Sequence, residues 1–270
     1  MDSGTLAVRG ADLYHQVHGS GPVLLLIGGS NVDTGLYEFL VDGLAHRHTV
    51  VTYDRRGNSR SRLTDPPGEQ LIEEHAEDAH RVLRAFTDGP AKVFGSGTGA
   101  TIGLDLLARH PEQVDLLIAH EPFLAGLLPD PEQWRATFDD IHDLYLRSGR
   151  AAATEELVRL FGLSVPPVPS GELPGPIVEM LDRVHRNVDF NLAWELRSFS
   201  RYEADLAALR GAPVCPAAGA EGPQTPFYRT TAVLAEHLGL PLRELPAGHM
   251  GYVERPAEFA EALISLLDGA

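Results

Sequence analysis

The chain has 270 residues, 43% of them hydrophobic, which suffices for the core of one large α/β domain. Its 22 basic and 38 acidic residues give a net charge of −16, which repels nucleic acid and anionic lipid, so neither is an expected partner. We find neither a secretory signal pattern nor a run of the roughly 18 to 20 apolar residues that a membrane span needs. We expect a soluble cytoplasmic monomer or homodimer, and the single cysteine, Cys215, excludes an intrachain disulfide.

Short apolar runs that alternate with helix-like segments predict a mostly parallel β-sheet with crossover helices. The first three runs precede glycine-containing turns, the fourth ends at Glu121-Pro122, and the fifth surrounds Cys215. The first four runs are Val23–Ile27, Thr49–Tyr53, Lys92–Phe94 and Val114–Ala119. About ninety residues separate the fourth run from the fifth, which predicts an insertion there.

The insertion, residues 123–209, is predicted to be a helical lid on a core domain formed by residues 1–122 and 210–270. A proline-rich turn at residues 165–169 divides its helix-like segments. These segments are Trp134–Leu146, Thr154–Leu160, Ile177–Val184 and Leu192–Phe199. Within the lid, Phe123 and His185 are candidates for contact with a small-molecule substrate.

One glycine-rich segment lies between a predicted strand and an amphipathic helix. Its residues Gly95-Ser96-Gly97-Thr98-Gly99 fit the spacing of the G-x-S-x-G nucleophile elbow. In this register a glycine, Gly97, occupies the nucleophile position, and Ser96 precedes it. The segment therefore resembles the elbow of α/β-hydrolases without its nucleophile.

Further segments resemble the same family in the same chain order. They are Gly21-Pro22-Val23, Ile27-Gly28-Gly29-Ser30, Tyr53-Asp54-Arg55-Arg56-Gly57-Asn58-Ser59 and Gly248-His249 before a terminal helix. Together with the elbow they span nearly the whole chain, which is identified as a member of the α/β-hydrolase superfamily. The resemblance implies an α/β-hydrolase fold, with a mostly parallel central sheet flanked by helices and a helical lid insertion.

The resemblance also implies roles for individual residues. His249 matches the catalytic histidine of the family, and the backbone amides of Ser30 and Thr98 match its oxyanion hole. Thr98 begins a helix, where free amides and the helix dipole favour negative charge. The neighbouring residues Gly29, Asn31, Ser96 and Met250 are expected to contact the substrate.

Two glutamates are candidates for the carboxylate that orients His249. Glu221 lies in the turn Gly219-Ala220-Glu221-Gly222-Pro223, which resembles the turn where family members carry an aspartate, although Gly222 aligns with that position. Glu121 follows the strand before the lid, the second place that the family uses for the acid. Either carboxylate could fix the tautomer of the histidine.

The remaining charged and histidine-rich segments predict no additional site. The basic run 55–62 resembles a structural loop of the family, and substrate binding is the less favoured interpretation. His75 and His80 form a pair on one helix, but no third ligand stands at metal-site spacing. We therefore expect neither a metal nor another cofactor.

Glycine at the elbow removes the hydroxyl needed for an acyl-enzyme but leaves a base and an anion hole. A base and an anion hole suffice for a lyase, isomerase or cyclase that acts on a small, largely apolar carbonyl compound. One alternative is hydrolysis of an activated ester, lactone or epoxide by water that His249 activates. Two others are a ligand-binding pseudoenzyme and a serine hydrolase inactivated at Gly97.

Overall fold

The computed structural model describes residues 2–163 and 173–269. All five predicted apolar runs form strands of one sheet. The predicted proline-rich turn at residues 165–169 lies outside the described residues. The strands are β1 Asp2–Val8, β2 Ala11–His18, β3 Val23–Ile27, β4 Thr49–Tyr53, β5 Arg62–Leu63, β6 Ala91–Ser96, β7 Val114–His120, β8 Val214–Gly219 and β9 Arg243–Leu245.

The sheet has the order β1-β2-β4-β3-β6-β7-β8-β9, with β5 paired to β2. The pairings from β4 through β9 are parallel, whereas those of β2 with β1, β4 and β5 are antiparallel. The central strands are buried on both faces, and such strands appear in a sequence as continuous apolar runs. This confirms the predicted mostly parallel sheet. Strands β1 and β2 were not predicted, because their partly exposed faces leave no apolar run.

Helices cover both faces of the sheet. On one face α2 (Ile72–Phe86) and α3 (Thr98–Arg109) pack together, and on the other α1 (Glu38–Leu44) packs against α11 (Pro256–Gly269). The helices of the core are α1 Glu38–Leu44, α2 Ile72–Phe86, α3 Thr98–Arg109, α9 Pro226–Leu238, α10 Gly251–Glu254 and α11 Pro256–Gly269. Among the described residues, no helix combines the length and the apolar character that crossing a bilayer requires.

Between β7 and β8 the chain forms the helices of the predicted insertion. They are α4 Pro131–Ser148, α5 Arg150–Phe161, α6 Gly175–Phe190, α7 Leu196–Ser200 and α8 Leu206–Leu209, with a π-helical turn, Asn191–Glu195, between α6 and α7. Phe138, Phe161 and Leu192 form an apolar cluster within these helices. Phe227 of α9 joins the same cluster and so packs the insertion onto the core.

Arginines of the basic run hold the insertion and the neighbouring loop in place. Arg55 donates two hydrogen bonds, of 2.8 and 2.9 Å, to Glu195 in the π-helical turn, and both side chains are buried. Arg56 is bidentate to Asp78 of α2, at 2.6 and 2.7 Å. The buried arginines of the run therefore have structural partners, in agreement with the favoured interpretation.

Candidate active site

The elbow is a sharp turn between β6 and α3. Gly97 has φ +56° and ψ −123°, a conformation that costs an L side chain strain and that glycine adopts freely. Its amide donates a 2.9 Å hydrogen bond to the carbonyl of His120 at the end of β7. Gly99 lets α3 approach β3, since a Cβ there would lie 2.1 Å from the carbonyl oxygen of Ile27. The turn therefore has an unusual backbone conformation at its apex, and the apex residue carries no side chain.

The His249 ring faces the apex of the elbow. A Cβ built on Gly97 would lie 3.3 Å from Cε1 and 3.4 Å from Nε2 of His249. The ring stacks on Phe227, with the centroids 4.0 Å apart and the planes 9° from parallel. This packing holds the imidazole with Nε2 close to the space that a nucleophile side chain would fill.

Glu121 binds the other nitrogen of the same ring. Its Oε2 lies 2.6 Å from Nδ1 of His249, and its Oε1 accepts a 2.9 Å hydrogen bond from the amide of Gly219. Burial is the largest single influence and raises the pKa of this carboxyl, but the hydrogen bond from His249, the two neighbouring imidazoles and the Gly219 amide together bring the pKa below its ordinary value. An ionised Glu121 accepts the Nδ1 proton, and Nε2 is then the basic nitrogen.

Glu221, the other glutamate predicted as a partner, does not contact His249. It is exposed, and its Oε1 lies 2.8 Å from Nη2 of Arg255. The turn that resembles the family's acid-bearing turn directs this carboxylate to the protein surface. Of the two alternatives left open by the sequence, the structure brings only Glu121 to the histidine.

The predicted oxyanion residues lie together beside the elbow. Gly29 packs so closely that a Cβ would be 2.9 Å from the carbonyl oxygen of Ser96. The hydroxyls of Ser30 and Thr98 are 2.7 Å apart. Within the described residues, neither of their amides donates a hydrogen bond to a protein acceptor. Binding of an anion by these two amides stays a prediction.

A cavity of about 300 Å³ lies between the elbow, His249 and the lid helices. The predicted contacts Gly29, Asn31, Phe123 and Met250 line it together with the elbow residues. Most other lining side chains are apolar, and none of those described is an Asp, Glu, Lys or Arg. The cavity is therefore suited to an uncharged molecule.

Ser96 and His185, which were predicted to contact the substrate, do not line the cavity. Ser96 is 1% exposed, and its hydroxyl bonds Nδ1 of His120 at 2.9 Å beneath the elbow. His185 is exposed on α6, whereas Val184 and Val188, four residues apart, face the cavity. A residue next to Val184 on a helix is rotated by about 100° from that face, so His185 points away.

Several cavity residues were missed from the sequence. Thr154 and Asn191 of the lid and Phe227 of α9 line the cavity, but they belong to segments that converge only in three dimensions. His120 was also missed, although it precedes Glu121. Burial lowers the pKa of its imidazole to about 4, so the ring is neutral beneath the site.

The fold, the elbow and the hydrogen bond between Glu121 and His249 define the class of protein. The sequence profile of the alpha/beta hydrolase fold family matches residues 21–165, and the chain belongs to this family. Along 99% of its length it is 35% identical to the uncharacterized hydrolase YraK of Bacillus subtilis (strain 168), with 97% of that protein covered. Fold and relative together support a hydrolase-type enzyme.

Solved structures show the same architecture over nearly complete chains. A hydrolase from Pseudomonas aeruginosa PA01 superposes with a TM-score of 0.75 at 22% identity, covering 100% of this chain and 99% of that one. An enol-lactonase from Burkholderia xenovorans LB400 gives a TM-score of 0.74 at 20% identity, covering 98% and 100%. At these identities the likeness is one of fold.

Proposed function

We propose that this protein hydrolyses a small, uncharged and mainly apolar ester, lactone or epoxide with a water molecule that His249 activates directly. The observation that carries the proposal is the position of His249, whose Nε2 lies 3.4 Å from the missing Cβ of Gly97. With Nδ1 committed to Glu121, the lone pair of Nε2 is available to a water in the space left by the nucleophile.

For an ester or lactone the reaction runs in two steps. Nε2 takes a proton from the water while the water oxygen bonds to the carbonyl carbon, and the carbonyl oxygen becomes an oxyanion held by the amides of Ser30 and Thr98. The carbon–oxygen bond to the leaving group then breaks, and His249 returns its proton to that oxygen. The products are a carboxylic acid and an alcohol, with no covalent enzyme intermediate.

The polar atoms of the cavity support a substrate with neutral polar groups. Oδ1 of Asn31 and Oγ1 of Thr154 are buried and have no partner among the described residues. Both residues line the cavity, one on the core and the other on the lid helix α5. A buried acceptor or hydroxyl without a partner is costly, so a carbonyl, hydroxyl or amide of the substrate would be favoured there.

The lyase, isomerase or cyclase reaction expected from the sequence would use the same base and the same amides. No contact in the described site selects such chemistry over hydrolysis. A relative that matches 99% of the chain is named a hydrolase, which favours the hydrolytic alternative.

A panel of neutral nitrophenyl esters, lactones and epoxides, assayed with and without a serine-directed phosphonate, tests the proposal. We expect turnover of at least one class, unchanged by the phosphonate, and an intact mass without adduct, because the apex lacks a hydroxyl. Hydroxylamine should not divert an acyl intermediate during ester turnover. A stoichiometric adduct at Ser96 or Thr98, or turnover abolished by the phosphonate, would contradict direct attack by water.

A further inference from the structure

A cluster of metal-ligand side chains lies on the outer side of α2, apart from the cavity. Glu77, His80 and His110 each offer one ligand atom, and these three atoms lie within 4.8 Å of one another. All three residues are half-buried, and none lines the cavity. The spacing of His75 and His80 in the sequence predicted no metal site, because the ligand that joins His80 follows α3.

We propose that Glu77, His80 and His110 bind a zinc ion that ties α2 to the segment after α3. Oε2 of Glu77 lies 3.5 Å from Nε2 of His110. Two ligands at about 2.0 to 2.1 Å from a tetrahedral zinc are about 3.3 Å apart, so this edge of the site is nearly formed. Two imidazoles and a carboxylate, with water as the fourth ligand, are a donor set that suits zinc.

A neighbouring amide already orients His80 for coordination. Oε1 of Gln113 lies 2.8 Å from Nδ1 of His80 and accepts its proton, which leaves the lone pair on Nε2. Metal-bound histidines commonly donate their second nitrogen to such an acceptor. Glu77 is similarly held, because Nη2 of Arg81 binds its Oε1 at 2.9 Å and leaves Oε2 for the ion.

The charges around the cluster favour a cation, and its two rings would have to move apart to bind one, because a shared ion must lie in the plane of each ring. The carboxylate of Glu112 lies 3.9 Å from Nδ1 of His110, and the whole chain carries a charge of −16. The rings of His80 and His110 stack with centroids 3.8 Å apart and an angle of 22°. Coordination would open this stack, which half-buried side chains permit.

Isothermal titration calorimetry with zinc chloride tests the site in the full-length protein. We expect one zinc per chain and a melting temperature that rises with zinc concentration, since an ion that binds only the folded state stabilises it. His80→Ala, His110→Ala and Glu77→Gln should each weaken zinc binding at least tenfold, and Gln113→Ala about tenfold. Magnesium should not compete, because it prefers oxygen ligands.

Matched controls separate this site from adventitious binding. His237→Ala removes an exposed histidine on α9, and His249→Ala removes the histidine at the cavity; both should bind zinc as the parent does. The melting temperature without zinc and the circular dichroism spectrum establish that each variant folds. Absence of binding at millimolar zinc, or affinity unchanged in all three ligand variants, would overturn the proposal.

Discussion

Nε2 of His249 lies 3.4 Å from the point that a Cβ at Gly97 would occupy. The histidine is therefore seated against the backbone of the elbow, with Phe227 stacked on its ring and Glu121 bonded to its far nitrogen. The histidine thus has a fixed orientation beside a glycine that offers no side chain of its own. This geometry leads to predictions that separate a water-activating base from a structural histidine.

His249→Ala should lower turnover about a hundredfold or more with nearly unchanged stability, the usual consequence of losing a general acid or base. Steady-state kinetics on the best substrate of the panel measure the effect, and urea unfolding checks the fold. His185→Ala, which removes an exposed imidazole of α6, is the control and should keep parental kinetics. A variant that changes only ligand affinity would favour the binding-protein alternative.

Glu121→Gln should reduce kcat about a hundredfold or more, because a neutral amide neither fixes the Nδ1 tautomer nor stabilises the imidazolium. Glu221→Gln removes a carboxylate of the same charge from the surface and should leave kcat within about twofold. The same assay applied to both variants compares the two positions directly. Equal losses would show that the contact between Glu121 and His249 does not orient the base.

Gly97→Ser should place a hydroxyl at the apex of the elbow beside His249. The backbone there has φ +56°, and the new Cβ would press on the ring, so we expect a loss of about 1 to 3 kcal/mol in unfolding free energy. Water attack should weaken because the hydroxyl fills the water position, while a burst with nitrophenyl acetate should appear.

Gly97→Ala is the matched control for this substitution, since it adds the same Cβ without the hydroxyl. It should lose native turnover and show no burst. Strong hydrolysis regained only with serine would favour the alternative of a silenced serine hydrolase. Native turnover unchanged in both variants would contradict the placement of the site at the elbow.

The imidazole of His120 should make stability depend on pH above the range where the carboxylates titrate. Burial lowers its pKa to about 4, so between the ordinary histidine pKa of about 6.5 and pH 4 only the unfolded chain binds this proton. The contribution of His120 to the free energy of unfolding is thus fully present above about pH 6.5. It is lost as the pH drops, by up to about 3 kcal/mol in all. Urea unfolding between pH 7 and 5 should show a smaller slope in His120→Gln, with the exposed-site variant His237→Gln as control.

The ion pair between Arg55 and Glu195 should be the main polar anchor of the π-helical turn. Glu195→Ala leaves the buried guanidinium of Arg55 unpaired, and we expect a loss of about 3 to 5 kcal/mol in unfolding free energy. Asp268→Ala breaks the exposed pair with Arg47 and should cost less than about 1 kcal/mol. Similar losses of unfolding free energy in the two variants would show that burial of the pair between Arg55 and Glu195 does not affect stability.

The sequence by itself determined the elements that carry a local signal. Five apolar runs identified the central strands, helical periodicity identified the segments of the insertion, and glycine spacing located the elbow and placed Gly97 at its apex. Each of these features depends on residues that are neighbours in the sequence. A strand that is buried on both faces gives a continuous apolar run, and a tight turn gives a characteristic spacing of glycines.

Only the tertiary structure decided which distant residues meet. Glu121 rather than Glu221 reaches His249 because parallel pairing brings the ends of β7 and β8 together at one edge, where the Gly219 amide also binds Glu121. The exposed position of His185 depends on which face of α6 packs against the core. The approach of His110 to His80 arises because α2 and α3 pack side by side, a long-range contact that carries no local pattern in the sequence.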